Sequence, residues 1–231
     1  MSLEFSKHRS ILLEILKDIY SDAAIAPYLG FKGGTAAHLF YGLNRSSVDL
    51  DFDLLDETME AVVFEKIRKL VANYGTVKDS YMKRFNLLNV ISYAPGAPQI
   101  KIEINRRNIG SRYSSRILLG ISMKVMVEED MFANKLMAMY ERMGKTSRDI
   151  YDVDFFAKKH WEINEELIEK RLGMSLKELL GRCVTSLEEM DNRRILVGLG
   201  ELLTEAQKNW VRAKLKEETI FLLNLRISVI P

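Results

Sequence analysis

Two aspartates separated by one residue, Asp49 and Asp51, are the strongest chemical signal in the chain. They sit in an alternating run, Val48 to Leu54, that predicts a β-strand. On a strand both carboxylates project to one face, about 6.6 Å apart at Cα, while Leu50 and Phe52 turn to the core. Like charges so placed repel each other and resist burial unless a divalent cation joins them. Hard oxygen donors suit Mg²⁺ or Mn²⁺, with the remaining ligands drawn from water and substrate phosphates. Asp53 continues the alternation near the strand end and is expected to be exposed. Upstream, Gly33-Gly34-Thr35 stands between a short apolar stretch and a short helix. Glycine lets backbone N–H groups approach a ligand, and Thr35 could cap a helix whose N-terminus favours phosphate. A tight strand-to-helix turn would explain the same three residues.

A third carboxylate comes from Ile100-Lys101-Ile102-Glu103-Ile104, where the isoleucines share one face and Lys101 and Glu103 the other. If that strand lies beside 48–54, Glu103 completes a cradle able to hold metal in an in-line displacement. Lys135 and Arg142 are two helical turns apart, so they project from nearly one face and could meet a triphosphate. Arg148, Asp149 and Asp152 follow at spacings that also make ordinary surface ion pairs. Lys101, Arg106, Arg107, Arg112 and Arg116 form a basic stretch with Tyr113 available for stacking, which suits an RNA backbone or a solvated loop. His8, His38 and His160 lack ligand spacing, and Cys183 reads as buried packing.

These residues must be positioned by an N-terminal α+β half and a helical C-terminal half, divided near residue 125. Helices are predicted at 3–20 (Phe5, Ile11, Leu12, Ile15, Leu16 and Ile19 inward), at 35–41, and at 57–73 with Val62, Val63, Ile67, Leu70 and Val71 buried. Strands are predicted at 76–83, 87–94 and 99–105. Beyond 128 the pattern gives helices at 128–143, 147–158, 164–171, 176–190 and 205–222, with a strand only in the last few residues. The 231 residues are 47% apolar and 29% charged, with net charge +2, which excludes a disordered chain and a strongly basic nucleic-acid coat. A single cysteine fits a reducing compartment. No apolar run spans a bilayer and no secretion signal is visible, so a cytoplasmic protein is expected.

The ordered set Gly33-Gly34-Thr35, then Arg45-x-Ser47-x-Asp49-x-Asp51-Phe52, resembles the nucleotidyltransferase-type toxins of the AbiEii/AbiGii family, over roughly residues 29–156. The segment carrying Lys135, Arg142, Arg148, Asp149 and Asp152 is similar to that family's helical Lys, Arg and closing Asp. The resemblance implies a mixed sheet with flanking helices over residues 1–125, and a helical domain, 126–231, closing over the nucleotide. It also implies transfer of a nucleoside monophosphate from a nucleoside triphosphate to an acceptor, tRNA 3′ ends for some members, in a toxin–antitoxin or phage-defence setting. Asp49 and Asp51 would hold metal, with Glu103 added as third ligand by its strand position. Gly33, Gly34, Thr35, Arg45, Ser47 and Arg142 would bind nucleotide, and Lys135 with Asp149 or Asp152 would complete catalysis. An inactive module of this fold, binding nucleotide or an antitoxin protein, is the alternative. A glycosyltransferase is a third, since Asp-x-Asp also binds metal–nucleotide-sugar complexes.

Overall fold

The computed structural model describes residues 3–107 and 109–230, with the side chains of residues 3–5, Phe5 among them, outside that description. It divides into two compact units, Met1–Met126 and Val127–Pro231.

The first unit is a seven-stranded sheet in the order β3-β4-β5-β2-β1-β7-β6. The strands are β1 (Leu29–Lys32), β2 (Leu50–Leu54), β3 (Thr76–Met82), β4 (Asn86–Ser92), β5 (Ile100–Asn105), β6 (Tyr113–Leu118) and β7 (Ile121–Met126). β2–β5 and β1–β7 are parallel and the other pairs antiparallel, so the sheet is mixed. Helices α1 (Leu3–Ser21), α2 (Gly33–Tyr41) and α3 (Glu60–Val71) accompany it. α3 enters through a 3₁₀ turn, Glu57–Met59, whose Asp56 cap accepts from the Thr58 N–H.

Leu50, Phe52, Ile102 and Ile104 are fully buried, together with Leu12, Ile15, Leu16 and Ile19 of α1 and Val63, Ile67 and Val71 of α3. Tyr20 stacks toward Phe52 at 6.2 Å between ring centroids. Strand alternation therefore leaves Asp51, Asp53, Glu103 and Asn105 on the opposite face, where the Asn105 amide reaches Asp53 at 2.8 Å. On α3 Val63, Ile67 and Val71 are buried as expected, but Val62 is exposed, Leu70 is only half-buried, and Phe64 joins the stripe. Strand β2 begins at Leu50, so Asp49 lies just ahead of it. The hairpin β6–β7 has no counterpart in the sequence reading. β6 is an edge strand, and its Ser115, Arg116 and Ile117 are exposed, so hydrophobicity does not alternate cleanly along it.

The second unit contains α4 (Glu128–Arg142), α5 (Arg148–Lys158), α6 (Glu165–Leu172), α7 (Leu176–Glu189), α8 (Glu205–Trp210) and α9 (Lys216–Val229). Its core includes Phe132 against Phe156 and Phe156 stacked on Trp161 at 4.4 Å. Cys183 is buried there, and burial pushes its thiol up to about 12, as befits packing and not nucleophilic use. The expected terminal strand is absent. A π-helical segment, Val211–Leu215, joins α8 to α9, and the helix runs on to Val229. Among the described residues no helix is long and apolar enough to cross a membrane.

Candidate active site

The turn from β1 into α2 brings the glycines to the acidic strand. Gly33 has φ +79°, and a Cβ there would overlap the Asp51 carboxylate. A Cβ on Gly34 would stand 2.7 Å from Arg45 Nη2 and 3.0 Å from Ser47 Oγ. Gly33 is thus required by its backbone and by close approach, while a Cβ at Gly34 would displace the Arg45 guanidinium. Arg45 is buried, and its Nη1 donates to the Ser46 carbonyl at 2.9 Å. Gly33, Gly34, Arg45, Ser47 and Asp51 come together as the sequence pattern anticipates. Thr35 does not cap α2. Its position is inside the first turn, and its buried hydroxyl donates to the Asp49 carbonyl, tying α2 to the entrance of β2.

Glu103 is the register partner of Asp51 on the adjacent parallel strand β5, the placement a shared carboxylate face requires. Its Oε1 accepts from Asn86 Nδ2 at 2.6 Å. Among the described residues no three His, Cys, Asp or Glu side chains converge as a metal site. The donor set nevertheless suits a hard cation: carboxylate oxygens of Asp51 and Glu103 on neighbouring strands, with the Gly33 backbone packed against Asp51.

Asp53 reverses its expectation. It is buried, with Lys32 Nζ at 2.5 Å, Asn105 Nδ2 at 2.8 Å and the Tyr113 hydroxyl all directed to it. A buried carboxylate so surrounded is structural. The same bond removes Tyr113 as a stacking platform, since its ring lies over Gly30. Arg106 is likewise committed, to Glu60 at 2.5 Å and to the Lys83 carbonyl at 2.7 Å. Arg116 lies 5.8 Å from the Tyr41 ring centroid.

His8 was given no role by sequence, yet it is buried beside the entrance of β2. Its Nε2 lies 3.1 Å from the Val48 carbonyl and its Nδ1 3.1 Å from the Tyr93 hydroxyl. A carbonyl only accepts, so Nε2 carries the proton and Nδ1 accepts from Tyr93. Burial lowers the His8 pKa, opposed by the Val48 bond and the Asp49 charge. The signal was available: His8 falls on the same helical stripe as Leu12, Ile15 and Ile19. His38, on α2, instead faces the Leu43 carbonyl at 2.7 Å.

In the helical unit, Lys135 of α4 is bracketed by two buried carboxylates of α5, Asp152 at 2.7 Å and Asp149 at 3.2 Å. Arg142 Nη2 stands 2.7 Å from Asp149 Oδ2, close enough to pair charges but off the direction of a hydrogen bond. Spacings of seven on α4 and three on α5 place the four residues on facing helix surfaces. Sequence left Asp149 and Asp152 as alternatives. Lys135 touches both.

A family model described as nucleotidyl transferase AbiEii toxin, type IV toxin–antitoxin system, matches residues 14–218. The chain belongs to this family. The AbiEii match extends the likeness well beyond the 29–156 window carried by the motifs, taking in the second part of α1, all of α6 to α8 and the start of α9. Among solved structures, a candidate nucleotidyltransferase from Helicobacter pylori aligns with TM-score 0.65 at 22% identity, covering 99% of this chain and 96% of its own. JHP933 from Helicobacter pylori gives TM-score 0.64 at 21% identity over 99% and 94%. At identities this low the likeness shows a shared nucleotidyltransferase-like fold alone. No curated protein matches the chain.

Proposed function

We propose that the protein transfers a nucleoside monophosphate from a nucleoside triphosphate to the end of an RNA acceptor, tRNA being the first to test, in a divalent-metal-dependent reaction. Membership in the AbiEii family supports nucleotidyl transfer as the reaction class. The observation that carries the assignment of the site is the close approach of the Gly33 backbone to the Asp51 side chain, which sets the glycine turn directly against a candidate metal ligand. In this reading Asp49 and Asp51 hold Mg²⁺ or Mn²⁺, with Glu103 next in register as the third ligand. The metal, when bound, neutralises charge on the reacting phosphates. The Gly33 and Gly34 amides and the Ser47 hydroxyl receive triphosphate oxygens. Arg45, packed beneath Gly34, fixes the turn. Within the helical unit, Asp149 and Asp152 set the position of the Lys135 ammonium, and Lys135 and Arg142 are the cations that the family resemblance assigns to nucleotide phosphate. The family's type IV toxin–antitoxin setting makes an antitoxin the expected partner in the cell.

The test is incubation with each labelled triphosphate, Mg²⁺ and total RNA. Label should enter RNA with the parent and fall to background with Asp49→Ala and Asp51→Ala. Undiminished transfer by either variant, or none by the parent with any triphosphate, overturns the reading.

A further inference from the structure

Outside the glycine turn, the first unit carries an open basin of about 510 Å³ lined by Lys83, Arg84, Phe85, Asn86, Glu103, Asn105 and Arg107. That size is in the range of ligand sites. Three of its seven residues are cations, and the lone carboxylate, Glu103, is engaged by Asn86. Phe85 is 47% exposed, unusual for a phenylalanine, and the Arg84 and Arg107 guanidinium carbons lie 5.0 and 5.1 Å from its ring centroid. The loop is held in place. Lys83 N–H donates to the Asn86 carbonyl at 2.7 Å, Arg106 N–H donates to the Phe85 carbonyl at 2.9 Å, and the Arg106 side chain takes the Lys83 carbonyl at 2.7 Å. Arg106, paired with Glu60, therefore acts as a clamp, while the exposed Arg84 and Arg107 lie over the Phe85 ring and Arg107 Nε donates to Asn105 Oδ1 at 3.3 Å.

We infer that this basin binds single-stranded RNA, with a base stacked on Phe85 and adjoining phosphates taken by Arg84, Arg107 and Lys83. An aromatic face flanked by cations on a fixed loop matches the two elements of single-strand recognition, a stacking platform and backbone charge. An acidic peptide would use the cations and leave the ring unmatched. The far wall supports the same occupant. Glu103 and Asn105 are register partners of Asp51 and Asp53, so a strand in the basin runs to the sheet face of the candidate site. The link to that site rests on the proposed nucleotidyl transfer; strand binding itself does not.

Fluorescence anisotropy with a labelled twelve-nucleotide single-stranded RNA tests the inference without turnover. Phe85→Ala should weaken binding about tenfold, whereas Phe85→Trp should retain it. Arg84→Ala/Arg107→Ala should weaken binding and flatten the salt dependence by about 1.4 in log–log slope, two phosphate contacts at roughly 0.7 each. Arg193→Ala, with a side chain 91% exposed in the other unit, should bind as the parent does. These side chains are exposed, so the variants keep the fold, and Phe85→Trp guards against a general disturbance. No affinity in the parent, parental affinity in Phe85→Ala, or equal weakening by Arg193→Ala overturns the proposal. A protein that binds RNA in this way but transfers no nucleotide would sink the proposed function and leave the basin standing. Nucleotide transfer by the parent, with parental RNA affinity in Phe85→Ala, would do the reverse.

Discussion

Gly33 and Asp51 occupy space that only a glycine permits: a Cβ at residue 33 would overlap the carboxylate across the turn. The backbone adds a second constraint, since φ +79° disfavours any L side chain by about 1–2 kcal/mol. Gly33→Ala should therefore lower stability by at least that amount and abolish triphosphate binding. Gly42→Ala is the control, because it has a similar φ of +77° but nothing within 4 Å of its Cβ. It should show the stability loss alone. Calorimetry of unfolding and of nucleotide binding separates the two; triphosphate binding retained by Gly33→Ala would contradict the assignment.

Asp51 and Asp53 face the same side of β2 yet are predicted to fail differently. Asp53→Ala strands Lys32 and leaves two further donors without their acceptor, so a loss of about 2–4 kcal/mol is expected. Asp51→Asn should cost under about 1 kcal/mol in unfolding and reduce nucleotidyl transfer by 10²–10³-fold, on the scale of losing one preorganised charge contact. Denaturant titration beside a transfer assay checks both. Equal stability losses would put Asp51 among the structural carboxylates.

The alternation from Val48 to Leu54 and the isoleucines at 100, 102 and 104 made the acidic face legible, because a period of two assigns faces before any neighbour is known. What a strand's own pattern lacks is its partners. Asp53 was read as exposed because the residues that surround it, Lys32, Asn105 and Tyr113, arrive from β1, β5 and β6. The β6–β7 hairpin escaped for a related reason: an exposed edge strand with Ser115 and Arg116 has no buried face to impose a period. Lys135 and its carboxylates were legible as spacings, but that both Asp149 and Asp152 reach the ammonium follows only from the packing of α4 on α5. His8 lacks metal-ligand spacing, and its place as a polar member of the apolar stripe of α1 is set by Val48 and Tyr93, far from it in sequence.

Lys135 compensates two carboxylates that are essentially out of solvent, with Arg142 reaching only Asp149. Lys135→Met should destabilise the helical unit by about 3–5 kcal/mol, since buried charge is left unpaired. Adding Asp152→Asn should recover a substantial part of that loss by removing the uncompensated charge. If the ammonium also serves the reaction, the double variant regains stability and remains inactive. Recovery of both would make Lys135 a purely structural cation.

His8 links pH to the first unit. Burial holds its folded pKa below the ordinary 6.5. Below about pH 6.5 the unfolded chain takes a proton that the folded ring resists, so stability falls with acid, by at most about 1.4 kcal/mol per pH unit, until the lowered folded value is passed. His8→Gln keeps a donor for the Val48 carbonyl and an acceptor for Tyr93 but does not titrate. The variant should gain on the parent between pH 7 and 5, measured by urea unfolding. A pH-independent difference would show that His8 is not the group responsible.

Asp154 should do the opposite. It is buried on α5, its Lys158 partner sits at 2.8 Å, and Lys158 also holds Glu218 of α9 at 2.5 Å. Burial raises the Asp154 carboxyl to about 6, against the hydrogen bond and charge of Lys158, with Glu218 pushing further upward and Thr219 opposing. For Lys158 burial pulls downward, but its bonds to Asp154 and Glu218 outweigh it, so it stays charged throughout the range of interest. Between the unfolded value of 3.8 and about 6 the folded state keeps a proton that the unfolded state releases. Stability therefore drops as pH rises through that window, by about 2–3 kcal/mol, and the loss persists at neutrality. Asp154→Asn resembles the protonated acid and still accepts from Lys158. It should match the parent near pH 4 and exceed it above pH 6.5, with the crossover near pH 5 in paired denaturation curves. A stability difference that is flat across those pH values would place the buried charge elsewhere.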